Sequence, residues 1–228
     1  VTINDETRAY PISMLNVHEM VHDELGGVPI LVTWHWPSAS PRVFDRRIDG
    51  RVRMFGVSGL MAGGNLAFYP RHEDLSVGGE PLYSQLLGRT ITGPTHTLTP
   101  IPSTFTDWKR WHTAHPDTTV AGRDPALKKR YKHAAPDAYY HSGGLISQSM
   151  PPEGGPPPKS PVLIIDAPAE IVVTRTNDQW SLPGPWILRD VSAGVPPGVE
   201  CPTCDPTRDL RHGLWHSVHA LGFRSSNQ

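Results

Sequence analysis

Cys201 and Cys204 stand with two residues between them, and His212, His216 and His219 follow close behind. Two thiolates with two imidazoles make a tetrahedral donor set suited to Zn, and the same soft and borderline donors suit Cu. If residues 208–219 form a helix, its period places the three histidines on one face. The gap from Cys204 to His212 is shorter than that of a zinc finger. A local Cys201–Cys204 disulfide, with the histidines beside Trp215 or facing solvent, accounts for the same residues without a metal. A second candidate metal set pairs His18 and His22, one turn apart on an expected first helix, with Glu19 or Asp23 nearby and His35 on the next strand. A plain helix surface explains that pair equally well.

Acyl-transfer chemistry finds less support. Phe55-Gly56-Val57-Ser58-Gly59 superficially resembles the G-x-S-x-G nucleophile elbow, but it lacks the residue between Ser58 and Gly59, and no helix follows. The segment reads as a tight turn, and no catalytic residue is assigned. Trp34 and Trp36 flank His35. Strand alternation would set both indoles on the face opposite the imidazole and make one sheet surface aromatic.

Residues at these positions need a scaffold rich in turns. The 228 residues include 25 Pro and 21 Gly, which favour short strands joined by turns, because proline fixes φ and glycine supplies positive φ. Formal charge is −1, so composition gives no electrostatic case for nucleic acid. The twelve histidines make the net charge rise steeply on acidification. The best apolar run, Val162 to Ile165, has the length of a buried strand and falls far short of the roughly 18 residues of a membrane span. The chain starts at Val1, which leads to the expectation of a processed N-terminus on an exported, periplasmic or secreted protein.

The expected fold is mainly β: an antiparallel sandwich or barrel-like meander with two or three short helices and long Pro/Gly-rich loops. An opening hairpin precedes a helix over 13–24, capped by Ser13 and closed by Gly26-Gly27. Strands are expected near 28–36, 42–47, 51–57, 65–70, 81–87 and 90–93, with helices at 105–115 and 208–219. A single domain over 1–228 divides into a core at 1–120, an irregular connection at 121–161 and a degenerate second half at 162–228 that completes the core. Faint echoes between 162–173 and the opening hairpin, and between 215–219 and 111–115, suggest that second half. Tyr131, Tyr139, Tyr140, Leu145, Ile146 and Met150 are spaced as anchors. They serve either a docking partner or a long loop wrapped on its own domain.

The motifs Ala9-Tyr10-Pro11, His18-Glu19-Met20-Val21-His22-Asp23, Gly26-Gly27-Val28-Pro29, Phe44-Asp45-Arg46, Phe55-Gly56-Val57-Ser58-Gly59 and Ser84-Gln85-Leu86 resemble a prokaryotic family catalogued as a domain of unknown function. That family reads A-Y-P-L, H-E-I-V-N-D, Y-C-P-L-C, F-G-V-S-G and W-S-Q-L. Here His35 and Ser38 stand where the pattern has its two cysteines, and His22 stands where it has Asn. A weaker W-x-x-W-x-x-x-H-P-D-T match falls on Trp108, Trp111 and 115–118. Relatives of this kind are often exported. The resulting expectation is a non-enzymatic binding or structural protein, an accessory subunit of an extracytoplasmic or membrane-associated assembly whose partners are other protein subunits. The alternative is a metal-binding protein using the His and Cys clusters.

Overall fold

A computed structural model describes residues 1–74, 77–133, 136–147, 150, 153, 157–165, 171–176, 179–180, 187–189, 198–200, 210–214 and 221. Strands β1 (Thr2–Ile3) and β2 (Glu6–Ala9) form the opening hairpin, whose turn residues Asn4 and Asp5 take positive φ. Helix α1 (Ile12–His18) buries Met14 and Leu15 and is followed at once by strand β3 (Met20–Leu25). The helix expected over 13–24 therefore stops halfway, and Pro11 rather than Ser13 occupies its N-cap. Glu19 ends it in the left-handed region at φ 57°, its N–H bonded to the Leu15 carbonyl. Residues 20–25 satisfy the helical spacing and strand alternation equally, and a distant partner decides for the strand. Met20 to Leu25 pair antiparallel with β4 (Val28–His35) across the Gly26-Gly27 turn. A Cβ on Gly26, at φ 54°, would lie 2.3 Å from the Ile3 carbonyl oxygen, so this turn needs glycine.

The central strand β4 pairs on its other side with β5 (Ser40–Asp45). The strand expected near 28–36 is thus interior to its sheet, but Trp36 leaves it. Pro37 breaks the strand and residues Trp36–Ser38 form a single 3-10 turn. A small hairpin, β6 (Arg47–Ile48) and β7 (Arg51–Val52), follows. Strands β8 (Phe55–Ala62), β9 (Asn65–Pro70), β10 (Tyr83–Ser84) and β11 (Arg89–Thr90) then make a four-stranded antiparallel sheet. Ser58, expected in a tight turn, lies within β8 beside an irregularity between Val57 and Met61, and its hydroxyl donates to the Ala67 carbonyl. Helix α2 (Trp108–Ala114) falls inside the expected 105–115, with the Asp107 carboxylate accepting the Arg110 N–H as cap. The short strand β12 (Thr119–Val120) adds parallel to β2.

The two sheets pack as a sandwich. Alternation sends Leu31 and Phe44 to one side, where they meet Phe55, Phe68 and Tyr83 of the second sheet, with Leu98 from the segment after it. The rings of Phe68 and Tyr83 stack at 5.5 Å, and Phe55 meets Phe68 edge-on at 5.6 Å. Each such buried side chain contributes about 1.5–3 kcal/mol by removal from water. Ile30, Val32, Trp34 and Val43 point the other way, into a cluster with Met14, Leu15 and Tyr131. Because both faces of β3–β4–β5 are covered, β4 reads as a continuous apolar run.

The stretch expected as an irregular connection holds helices α3 (Lys128–His133) and α4 (Asp137–His141). Its tyrosines anchor on the chain itself. Tyr131 is buried, accepts the Asp124 N–H and shares a 2.8 Å hydrogen bond with His18. Tyr139 and Tyr140 donate to the carbonyls of Pro37 and Trp36. Ile146 and Met150 remain exposed.

In the last part, β13 (Pro161–Ile165) lies between β14 (Ile171–Thr176) and β18 (Leu210–Leu214). Strand β15 (Gln179–Trp180) extends that sheet, and β16 (Ile187–Arg189) pairs with β17 (Gly198–Glu200). Val162 and Ile164 pack on Leu86 of the first part. The helix expected over 208–219 is contradicted where it is described: 210–214 is a strand, because Pro161–Ile165 supplies an antiparallel partner. Strands outweigh helices, and no closed barrel forms among the described residues.

Candidate functional site

Two places in the fold gather polar or concave features. One lies inside the sandwich, at the end of β4. His35, Ser38, Ser40, Asn65 and Gln85 are almost completely buried there. The Nδ1 of His35 meets the Ser38 hydroxyl at 2.7 Å, and the two serine hydroxyls meet at 2.8 Å. The Asn65 amide donates to Ser38, Ser40 and Gln85 Oε1 at 2.8–2.9 Å. Gln85 in turn donates to Thr33 Oγ1 and the Ser40 carbonyl, and Asn65 Oδ1 accepts the Leu86 N–H. The two positions that carry cysteines in the resembled motif are thus in side-chain contact here, as imidazole and hydroxyl. This network joins the two sheets through satisfied hydrogen bonds and is sealed from solvent, so it acts as a polar clamp.

The other place is a cleft of about 470 Å³ on the opposite face of β3–β4–β5, between α1, the segment 103–108 and the start of α2. Tyr10, Leu15, Val43, Phe105, Trp108 and Trp111 form most of its apolar wall. Trp108 is 53% exposed and its ring meets that of His112 at 5.0 Å, tilted by 37°, which leaves it at the mouth. The polar groups along the cleft are already engaged. Arg8 and Tyr10 both donate to one oxygen of Asp23 at 2.7 Å. Burial pushes the Asp23 carboxyl upward, but the bonds from Arg8, Tyr10 and the Glu24 N–H outweigh it and hold it below the usual range. Burial, then the bond to Asp23, drives the Tyr10 hydroxyl well above its ordinary pKa. Arg123 donates to Ser13 Oγ at 2.6 Å and lies over the Tyr131 ring, while the Trp111 indole N–H goes to Thr118. A cleft so arranged offers contact area for an apolar group, with charge fixed at its rim.

The proposed metal ligands have separate fates. His18 faces Tyr131, His22 accepts the Phe55 backbone N–H at 2.8 Å, and His35 lies in the clamp. The structure does not bring these three together, since His18 ends a helix while His22 and His35 sit on separate strands with their own partners. Among the described residues no three His, Cys, Asp or Glu side chains gather to hold a metal. Cys201, Cys204, His216 and His219 lie outside the described residues, and His212 is described only as backbone, paired with Leu163 in β18. The expected aromatic surface does not form at Trp34, which is 2% exposed and donates to Asn16 Oδ1 at 2.7 Å. Sequence reasoning missed the cleft because its walls come from residues 1, 8–12, 15, 32–33, 41, 43, 103–108, 111, 120 and 123, which no local pattern connects. The Trp108 and Trp111 pair of the weak tryptophan motif was the one part of it that the sequence marked.

Residues 1–179 match the family model described as a protein of unknown function (DUF3179), and the chain belongs to that family. No curated protein and no solved structure matches it.

Proposed function

We propose that this chain is a non-enzymatic binding protein, an accessory subunit of a larger extracytoplasmic assembly, whose partner places an apolar or aromatic group in the cleft beside Trp108. The observation that carries this reading is the cleft itself. Its volume of about 470 Å³ falls within the range of small-group binding sites. Aromatic side chains supply large contact area at low entropic cost, and Trp108 stands half-exposed where an incoming group would meet it. Arg8, Tyr10, Asp107, Trp111 and Arg123 already have intramolecular hydrogen bonds, so the cleft recognises shape and apolar area. Among the described residues no helix is long and apolar enough to cross a membrane. Docking from outside the bilayer accords with that.

Two measurements test the proposal. A hydrophobic fluorescent dye should bind the full chain with quenching of tryptophan emission, and Val120→Trp, at an exposed cleft position, should abolish the binding while the fold is kept. Equal dye binding in the variant would reject the cleft as the site. A photo-crosslinker at position 108 in cells should capture a subunit outside the cytoplasm. Capture only of cytoplasmic proteins would reject the proposed assembly and location.

A further inference from the structure

Residues 123–132 carry positive charge out of keeping with a chain of net charge −1. Arg123, Lys128, Lys129, Arg130 and Lys132 are all exposed, and Asp124 is the one carboxylate among them. Its Oδ1 accepts the Ala126 N–H as the cap of a 3-10 turn. Helix α1, against which α3 packs, holds no acidic residue. Among the described residues no carboxylate forms an ion pair with any of the five cations.

The residue between these cations fixes how they are presented. Tyr131 is buried, its hydroxyl bonded to His18 and to the Asp124 N–H, and the Arg123 guanidinium lies 5.7 Å over its ring. With Tyr131 facing inward, the helical period of about 100° per residue sets Lys129 nearly opposite, with Arg130 and Lys132 to either side. The rise of about 1.5 Å per residue keeps 128–132 within about 6 Å along the helix axis. Lys128 and Lys132, four residues apart, repel one another on such a helix. The isolated chain therefore gains nothing from the cluster, and an external anion would relieve it.

We propose that this face docks the protein onto an anionic phospholipid surface. Charge complementarity selects an anion, and the kinds of residue present select a lipid surface over other polyanions. Single-stranded nucleic acid stacks its bases on exposed aromatic rings, and the one aromatic side chain of the run is buried. Protein interfaces favour arginine and aromatic residues and are depleted in lysine, whereas α3 presents Lys128, Lys129 and Lys132. Lysine carries a compact, hydrated charge without a fixed donor fork, which suits headgroups that move beneath it. A cluster of about four to eight Lys and Arg is the pattern that recognises anionic headgroups. The docking face is independent of the binding role proposed for the cleft.

Sedimentation of the full chain with mixed phosphatidylglycerol and phosphatidylcholine vesicles, against phosphatidylcholine alone, tests the docking. Retention is expected only on the anionic vesicles. It should fade as salt rises from about 0.1 to 1 M and the Debye length shrinks from about 10 to about 3 Å. Each Lys or Arg beside an anionic surface strengthens binding about fivefold, so the triple variant Lys129→Gln, Arg130→Gln, Lys132→Gln should weaken it roughly hundredfold. Removing the same charge at exposed Arg51, Arg71 and Arg89 should leave retention within a few-fold, and circular dichroism checks that both variants keep the fold. An equal loss in that control overturns the proposal by making net charge the cause. Equal retention on neutral vesicles overturns it by making the attraction apolar. Absence of retention on anionic vesicles overturns it as well and leaves the face to an acidic protein or a nucleic acid.

Discussion

The two faces of the β3–β4–β5 sheet are closed by opposite means. Toward the second sheet, aromatic rings interlock around Phe68 and a polar clamp ties His35, Ser38 and Ser40 to Asn65 and Gln85. Toward the helices, Val32, Trp34 and Val43 are covered by α1 and Tyr131, but a cleft remains beside Tyr10, Phe105 and Trp108. Side chains supplied by a neighbouring sheet at fixed spacing fill space densely, whereas loops and short helices crossing a sheet leave gaps. The filled face therefore supplies stability and the gapped face is where another molecule has room to enter. Substitutions should divide accordingly.

The largest effect is expected at the filled face. Phe68 is fully buried between Phe44, Phe55 and Tyr83, and Phe68→Ala should lower stability by about 3–5 kcal/mol in urea unfolding. A loss under 1 kcal/mol would mean this face is not the stabilising one. Asn65→Ala comes next, at about 2–4 kcal/mol, because it strips Ser38, Ser40, Gln85 Oε1 and the Leu86 N–H of a buried partner at once. If Asn65→Ala melts like the wild type, the clamp is incidental and the contrast between faces rests on the rings alone.

The sequence revealed these faces unevenly, for physical reasons. Strand β9 was legible at 65–70 because Gly63-Gly64 turns the chain before it and the short apolar run Leu66 to Tyr69 ends at Pro70. Helix α2 was legible because Asp107 caps it and Pro116 bars its continuation. At 20–25 and 210–214 local spacing favoured a helix, and strand pairing with 28–33 and 161–165 overrode it. The same non-local choice separates His18 from His22, so a ligand pair inferred from one helical turn does not form. The clamp was half-legible: Ser84-Gln85-Leu86 and the His35–Ser38 positions stood out as motifs, but only the packed sheets reveal that they touch. Trp34 and Trp36 were misjudged as a surface because alternation alone cannot tell a covered face from a bare one.

A third test separates the two faces by pH. His22 lies on the ring side, and its folded pKa of about 4 is below the ordinary 6.5. The unfolded chain takes up its proton first, so this contribution to stability is full above about pH 6.5 and is lost as pH falls toward 4. Allowing for solvent screening of a partly exposed ring, the loss should be about 1–2 kcal/mol. His22→Asn, which retains an acceptor for the Phe55 N–H, should flatten that dependence in denaturation curves at pH 7 and pH 4.5. An unchanged slope would assign the acid sensitivity to other groups.

The smallest effect is expected at the gapped face. Trp108 is one of two tryptophans of the cleft wall, yet it is half-exposed, meets the His112 ring at a tilt and has no hydrogen bond from its indole among the described residues. Truncating it removes little buried area, and Asp107 still caps α2 through the Arg110 N–H. Trp108→Ala should therefore change unfolding free energy by no more than about 0.5 kcal/mol, while weakening hydrophobic dye binding several-fold. The ratio of these two effects is the sharpest form of the contrast: a residue on the filled face should show the reverse, large in stability and without influence on the dye in the still-folded protein. If Trp108→Ala costs as much as Asn65→Ala, then the ring is a structural closure of the helical face, and the cleft beside it is a packing gap with no claim on a ligand.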